Sequence, residues 1–217
     1  MTAFKTIKGV PVKTISGDRA GASFEGQLYY DSDGVGTFKF VGALAAGTWA
    51  SGGNLNTARN SLGGSQAGTQ TAALGFGGEG GSKNESEEYN GTSWTEGNNL
   101  NTARGIITGA GTQTAALGIG GNAPGATALT EAYNGTSWSE VNDLNTARYG
   151  NKAGGIQTAA LTFAGTTGGT NRLTVTEKYN GTSWTEVNDL NTARTDPGNL
   201  GLLQTNSLCA GGNTSPG

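Results

Sequence analysis

The sequence predicts an all-β fold of four-stranded sheets arranged as the blades of a β-propeller, and three observations predict it. First, a long unit recurs. YNGTSWTEGNNLNTAR (89–104) returns as YNGTSWSEVNDLNTAR (133–148) and YNGTSWTEVNDLNTAR (179–194), after a degraded first copy, GTWASGGNLNTAR (47–59). Second, its period is regular. Trp49, Trp94, Trp138 and Trp184 stand 45, 44 and 46 residues apart, and Arg59, Arg104, Arg148 and Arg194 keep the same intervals. Third, each period holds short apolar or aromatic runs separated by turn residues, enough for four strands. That is the content of one propeller blade.

In chain order, residues 1–24 carry no repeat signal and are read as an N-terminal arm, with the propeller over 25–217. FKTIKGVPVKTI, near the start, alternates loosely, as a strand or an extended arm does. GQLYYDSDGVGTFKFVG (26–42) reads as a β-hairpin, two aromatic-rich runs flanking a turn cluster. From Asn60 each unit parses alike. A Gly-rich run (NSLGGSQA) and a tight turn (GTQ) lead to a small apolar strand, TAALGFGG (71–78), repeated at 114–121 and 158–165. A variable segment follows, then a strand ending in Tyr, an Asn-Gly pair read as a two-residue hairpin turn, the strand TSWTE, and a polar stretch to the Arg. We label the four strands A to D. Ala and Gly faces let sheets approach closely, and Trp and Tyr fill the space that remains.

Residues 195–212 align with an A–B pair, whereas 37–53 supply C and D with no A–B of the TQTAAL type. The expectation is four blades, the last closed by pairing of the N- and C-terminal strands, which removes two exposed sheet edges. Near-identical units also pair out of register or exchange between chains, so completion by another subunit, and hence an oligomer, is the alternative.

Composition narrows the chemistry. Gly makes up 40 of 217 residues, against a usual ~7%, without a triplet period. Charged residues are 13% and the net charge is −3, which gives no basic footprint for nucleic acid or for a membrane surface. No run approaches the ~18 apolar residues of a membrane span. There is no histidine, which excludes Ser-His-Asp and Cys-His catalysis and His-ligated metal, and the single Cys209 excludes an intrachain disulfide. No cofactor and no metal is expected. The first residues lack a secretory pattern, so synthesis in a cytosol is expected.

The recurrent polar residues admit two readings. The four arginines either line a ligand site or are structural cations, one at each blade junction. Glu87, Glu131 and Glu177, two residues before each Tyr, are the natural partners, through two parallel Arg–carboxylate hydrogen bonds. The first unit has no such Glu, so one junction is expected to lack the pair. Asn90-Gly91-Thr92 and its two repeats match glycosylation sequons, yet serve as turn residues. Asn142-Asp143 and Asn188-Asp189 suggest Asx turns over calcium ligands, which need more oxygens than one unit offers. Glu87-Glu88 lie side by side on a strand, face opposite ways and make a poor acid/base pair.

Variation among the copies is concentrated. The A–B and C–D turns barely change, whereas the B–C segments EGGSKNES (79–86), NAPGATALT (122–130) and TTGGTNRLTVT (166–176) differ in length and chemistry. So do the residues after each Arg. In an up-and-down sheet these variable stretches share one end. Fixed strands with one diversified loop end are how a recognition surface is built, and drift in unconstrained loops is the plain alternative. Glu79, Ser82, Lys83, Asn84, Asn122, Thr127, Thr170, Asn171 and Arg172 are the candidate ligand-binding residues.

A small-residue strand ending in Gly77-Gly78 or Gly120-Gly121, a Tyr, a Trp five residues later and an Arg before the next unit resemble the kelch repeat. Ala164-Gly165 replaces one Gly-Gly pair, and kelch propellers usually carry more blades than four. TQTAALGFGG, YNGTSW and LNTAR, behind a leader EGQLYYDSDGVGTFKFVG, are more specifically similar to the kelch-like repeat proteins of marine bacteriophages. That resemblance implies a virion component made in the host cytoplasm, such as a tail fibre, that meets other virion proteins through its arm. The functional expectation is a non-enzymatic appendage module whose B–C loop face binds a host surface glycan or a neighbouring virion protein. The alternative is a structural decoration or spacer subunit with no ligand.

Overall fold

The structure is a computed structural model that describes residues 51–214 and, ahead of them, the backbone of five short strands. The chain divides into two units, Met1–Ser51 and Gly52–Gly217. In the first, β1 (Thr6–Ile7) and β2 (Val10–Pro11) are antiparallel, while β3 (Lys13–Ile15) runs parallel to β4 (Leu28–Asp31). β4 and β5 (Phe38–Phe40) form the hairpin expected over 26–42, with Tyr29 opposite Lys39. Trp49 lies outside the described residues.

The second unit consists of antiparallel sheets whose strands follow chain order, and no helix occurs among the described residues. The first sheet holds β6 (Gly63–Gly64), β7 (Ala73–Phe76), β8 (Ser86–Tyr89) and β9 (Trp94–Glu96). The second holds β10 (Thr108–Thr112), β11 (Ala115–Ile119), β12 (Thr130–Tyr133) and β13 (Trp138–Val141). In the third, β14 (Lys152–Ile156) and β15 (Ala159–Phe163) are followed by a small excursion, β16 (Thr166–Gly168) with β17 (Asn171–Arg172). The sheet then resumes with β18 (Thr176–Tyr179) and β19 (Trp184–Val187). β20 (Gly198–Leu200) and β21 (Leu208–Ala210) form a two-stranded sheet. The expected completion of that sheet by 37–53 falls largely outside the described residues.

Register explains the Tyr–Trp repeat. Tyr89 faces Trp94, Tyr133 faces Trp138 and Tyr179 faces Trp184 across neighbouring strands, with ring centroids 4.9–5.0 Å apart. The cores lie between successive sheets. Leu74, Phe76, Leu100 and Ile107 pack on Ala116, Tyr133 and Trp138, and Trp138 meets Phe76 edge-on at 4.8 Å. At the next junction Leu117 and Ile119 pack on Ala153, Ala160, Tyr179 and Trp184. The first strands β6, β10, β14 and β20 touch in sequence.

One expected turn is different. Asn90-Gly91 is not a two-residue turn: the Tyr89–Trp94 pair closes a four-residue loop in which only Gly91 has positive φ, at 94°. The Asn90 side chain accounts for this, since its Oδ1 accepts the N–H groups of Thr92 and Ser93 at 2.9 Å each. Asn134 and Asn180 do the same. This is an Asx-type cap, and it needs the longer loop.

Gly111 and Gly155 enter the A–B turns at φ of 93° and 111°, and a Cβ on either would strike the carbonyl of Ala115 or Ala159. Gly155→Ala is therefore expected to destabilise the second unit by about 1–3 kcal/mol. A urea-unfolding midpoint equal to wild type would contradict this account of the turn.

Candidate functional site

The stretch between one sheet's last strand and the next sheet's first strand builds a buried anion clasp. After β9, residues 97–104 run between the first and second sheets. The N–H groups of Gly97, Leu100 and Arg104 donate to the carbonyls of Ser86, Asn84 and Lys83. From there the stretch reaches Glu131 on β12. Its Oε2 accepts the Asn101 N–H at 2.7 Å and Asn101 Nδ2 at 3.0 Å, and its Oε1 accepts the Thr102 N–H at 3.3 Å and Arg104 Nη2 at 2.8 Å. Arg104 Nη1 donates to the carbonyls of Gly120 and Leu129. Asn56, Thr57 and Arg59 hold Glu87 in the same way, and Asn145, Thr146 and Arg148 hold Glu177.

All three ion pairs are closed to solvent. Burying a carboxylate costs several kcal/mol unless its lone pairs are met, and here four donors meet them. Burial lowers the pKa of Arg104 and Arg148, and the carboxylate beside each opposes that shift. The pairing was legible from the repeat; its geometry was not. A single Nη2–Oε1 contact replaces the two parallel bonds, because Asn already occupies Oε2 and strand-end carbonyls occupy Nη1. Sequence reasoning also missed the Asn and Thr of Asn-Thr-Ala-Arg, although their recurrence in all four copies was the available signal. Each carboxylate thus meets four donors, and of the three guanidiniums only Arg148 also places its Nε, on Thr146 O, while Nε of Arg59 and Arg104 is buried without a partner among the described residues.

The opposite end of each sheet carries a second joint. Gln113, in the A–B turn of the second sheet, donates Nε2 to the carbonyls of Ala73 and Tyr89 in the first. Gln157 does so to Ala116 and Tyr133, and Gln204 to Ala160 and Tyr179. This joint too was unread in the sequence, where Gln counted only as a turn residue. Tyr133 Oη donates to Glu88 at 2.6 Å, and burial first, then this carboxylate, pushes the phenol pKa well up. Asp143 makes no Asx turn; its Oδ1 accepts the N–H of Thr130, at the start of β12.

The variable segments lie at the end opposite the Gln joints. Asn60 pairs with Glu79, Gly105 with Asn122, and Tyr149 with Thr166, so each post-Arg residue sits beside the start of a B–C segment. Of the candidate ligand residues, several brace their own loops or the adjoining connection. Asn84 Nδ2 donates to Leu100 O, Asn122 Oδ1 accepts the Gly125 N–H, and Thr127 Oγ1 accepts the Leu129 N–H. Asn171 Nδ2 donates to Thr167 Oγ1, and Arg172 Nη1 donates to the carbonyl of Thr170. Among the described residues, Glu79, Ser82, Lys83 and Thr170 make no side-chain hydrogen bond. A further concavity was not anticipated: a cavity of about 240 Å³ between the first strands, lined by residues that include Gln66, Thr108, Lys152 and Asn199. No group of three or more Cys, Asp or Glu placed to hold a metal occurs among the described residues. No protein-family model matches the chain, and no curated protein matches it.

Removing one clasp partner strands its mate in the interior. Glu131→Ala is expected to cost about 3–5 kcal/mol, and Gln157→Ala, which loses two neutral hydrogen bonds, about 1–3 kcal/mol. Chemical denaturation of the two variants would reveal the ranking, and a Glu131→Ala variant as stable as wild type would refute the clasp.

Proposed function

We propose that the sheets are blades of a kelch-like β-propeller, with β20–β21 beginning a fourth. On this reading the molecule is a non-enzymatic module of a phage virion appendage. Its B–C loop face binds a host surface glycan or a neighbouring virion protein. The arm at 1–24 meets other virion proteins.

The observation that carries the reading is the separation of fixed and variable chemistry. Clasps and Gln joints bind sheet to sheet with the same atoms at each junction, while Glu79, Asn122 and Thr166 open segments that share neither length nor composition. The contact of β6, β10, β14 and β20 around a polar cavity supports the propeller reading. Ser82 and Thr170 are exposed and Lys83 is half-buried, polar groups suited to sugar hydroxyls or a wet protein surface. One observation favours the spacer alternative: Asn122, Thr127, Asn171 and Arg172 already serve their own loops, and Asn84 serves the adjoining connection.

The deciding experiment is a screen of the full chain against glycans and whole host cells. It is repeated with Ser82→Ala, Lys83→Ala and Thr170→Ala combined. These surface changes are expected to move stability by under about 0.5 kcal/mol each while weakening surface binding at least about tenfold. No binding by wild type would favour the spacer subunit, and equal binding by the triple variant would overturn these three residues as the binding surface.

A further inference from the structure

In the fourth Asn-Thr-Ala-Arg copy, 191–194, Arg194 holds carbonyls as Arg148 does but meets no carboxylate among the described residues. Its cation is already set. Arg148 Nε donates to Thr146 O and its Nη1 to Ala164 O; correspondingly, Arg194 Nε donates to Thr192 O at 3.3 Å and its Nη1 to Gly211 O at 2.6 Å. The two bonds that Arg148 also makes, to Val175 O and to Glu177 on the third strand, have no counterpart at Arg194 among the described residues.

The neighbouring strand is set as well. Glu177 stands opposite Thr162 on β15, and the residue matching Thr162 is Cys209 on β21, since Asn199–Cys209 repeats the pairing of Ala153 with Thr162. β21 pairs with β20 alone among the described strands. The chain's own first copy does not offer the missing group. Glu stands seven residues before Trp94, Trp138 and Trp184, but Gly42 stands seven before Trp49. The glutamates that do fit are engaged in their own clasps.

We propose that the edge of β21 and the clasp of Asn191, Thr192 and Arg194 together form a docking site. Its occupant is a β-strand of another polypeptide that carries Glu-x-Tyr. The strand adds antiparallel to β21, its Glu opposite Cys209 and its carboxylate on the clasp. Strand addition gives affinity through main-chain hydrogen bonds and selects through one or two side chains. Here the selecting group is a carboxylate, because in the three complete copies the matching guanidinium and the N–H groups of Asn and Thr all donate to one.

A fluorescently labelled peptide with the sequence of residues 174–187, TVTEKYNGTSWTEV, is a direct probe, because it is the hairpin that completes the third sheet. Titrated with the full chain, it is expected to bind saturably and to slow amide exchange over Leu208–Ala210. The Glu177→Gln form of the peptide is expected to bind at least about tenfold more weakly, as loss of a charge-assisted hydrogen bond implies. Because the substitution is in the peptide, the protein's folding is untouched. Equal binding of both peptides would overturn the carboxylate clasp. Absence of binding, as when the chain closes its own fourth sheet, would overturn the docking site and leave the loop-face reading standing.

Discussion

A buried carboxylate that must be fully hydrogen-bonded organises this molecule. Glu87, Glu131 and Glu177 sit on third strands where no water reaches them, and an ionised group there tolerates little displacement of its donors. Asn, Thr and Arg come from the connection that precedes each sheet, so satisfying the carboxylate sets the path of that connection and the spacing of two sheets. Alanine and glycine on the facing strands then allow the backbones to approach. Tyr, Trp, Leu and Phe fill what is left, with the clasp, the Gln joint and the apolar filling all acting on the same junction.

Specificity follows from the same constraint. Apolar packing alone would accept sheets that slide by a residue, since small side chains discriminate poorly between registers. A carboxylate with four donors accepts one register. The loops at the clasp end join this alignment through backbone carbonyls, which any residue supplies, so their side chains can differ from copy to copy without loss of the fold.

Much of this was legible. The 44–46-residue spacing of Trp and Arg fixes the sheet count per unit, and Glu two residues before Tyr was recognisable as the arginine's partner. What stayed hidden has a physical cause in each case. Asn101 and Gln113 act through side-chain amides on groups far along the chain, and such reach leaves no local pattern. The Asn90 cap mimics an Asn-Gly hairpin in composition while adding two residues to the loop. The cavity between first strands arises from several sheets meeting, a property that no single period contains.

The Arg–Glu pair of each clasp joins residues only 27 to 29 positions apart, with the same atoms every time. Inserting or deleting one whole period therefore creates no new kind of joint and breaks none. A chain with one unit more or fewer would differ in sheet number while each retained Arg–Glu pair keeps its partners. The length of this array is thus a property that evolution can change in single steps, without first relearning how to pack it.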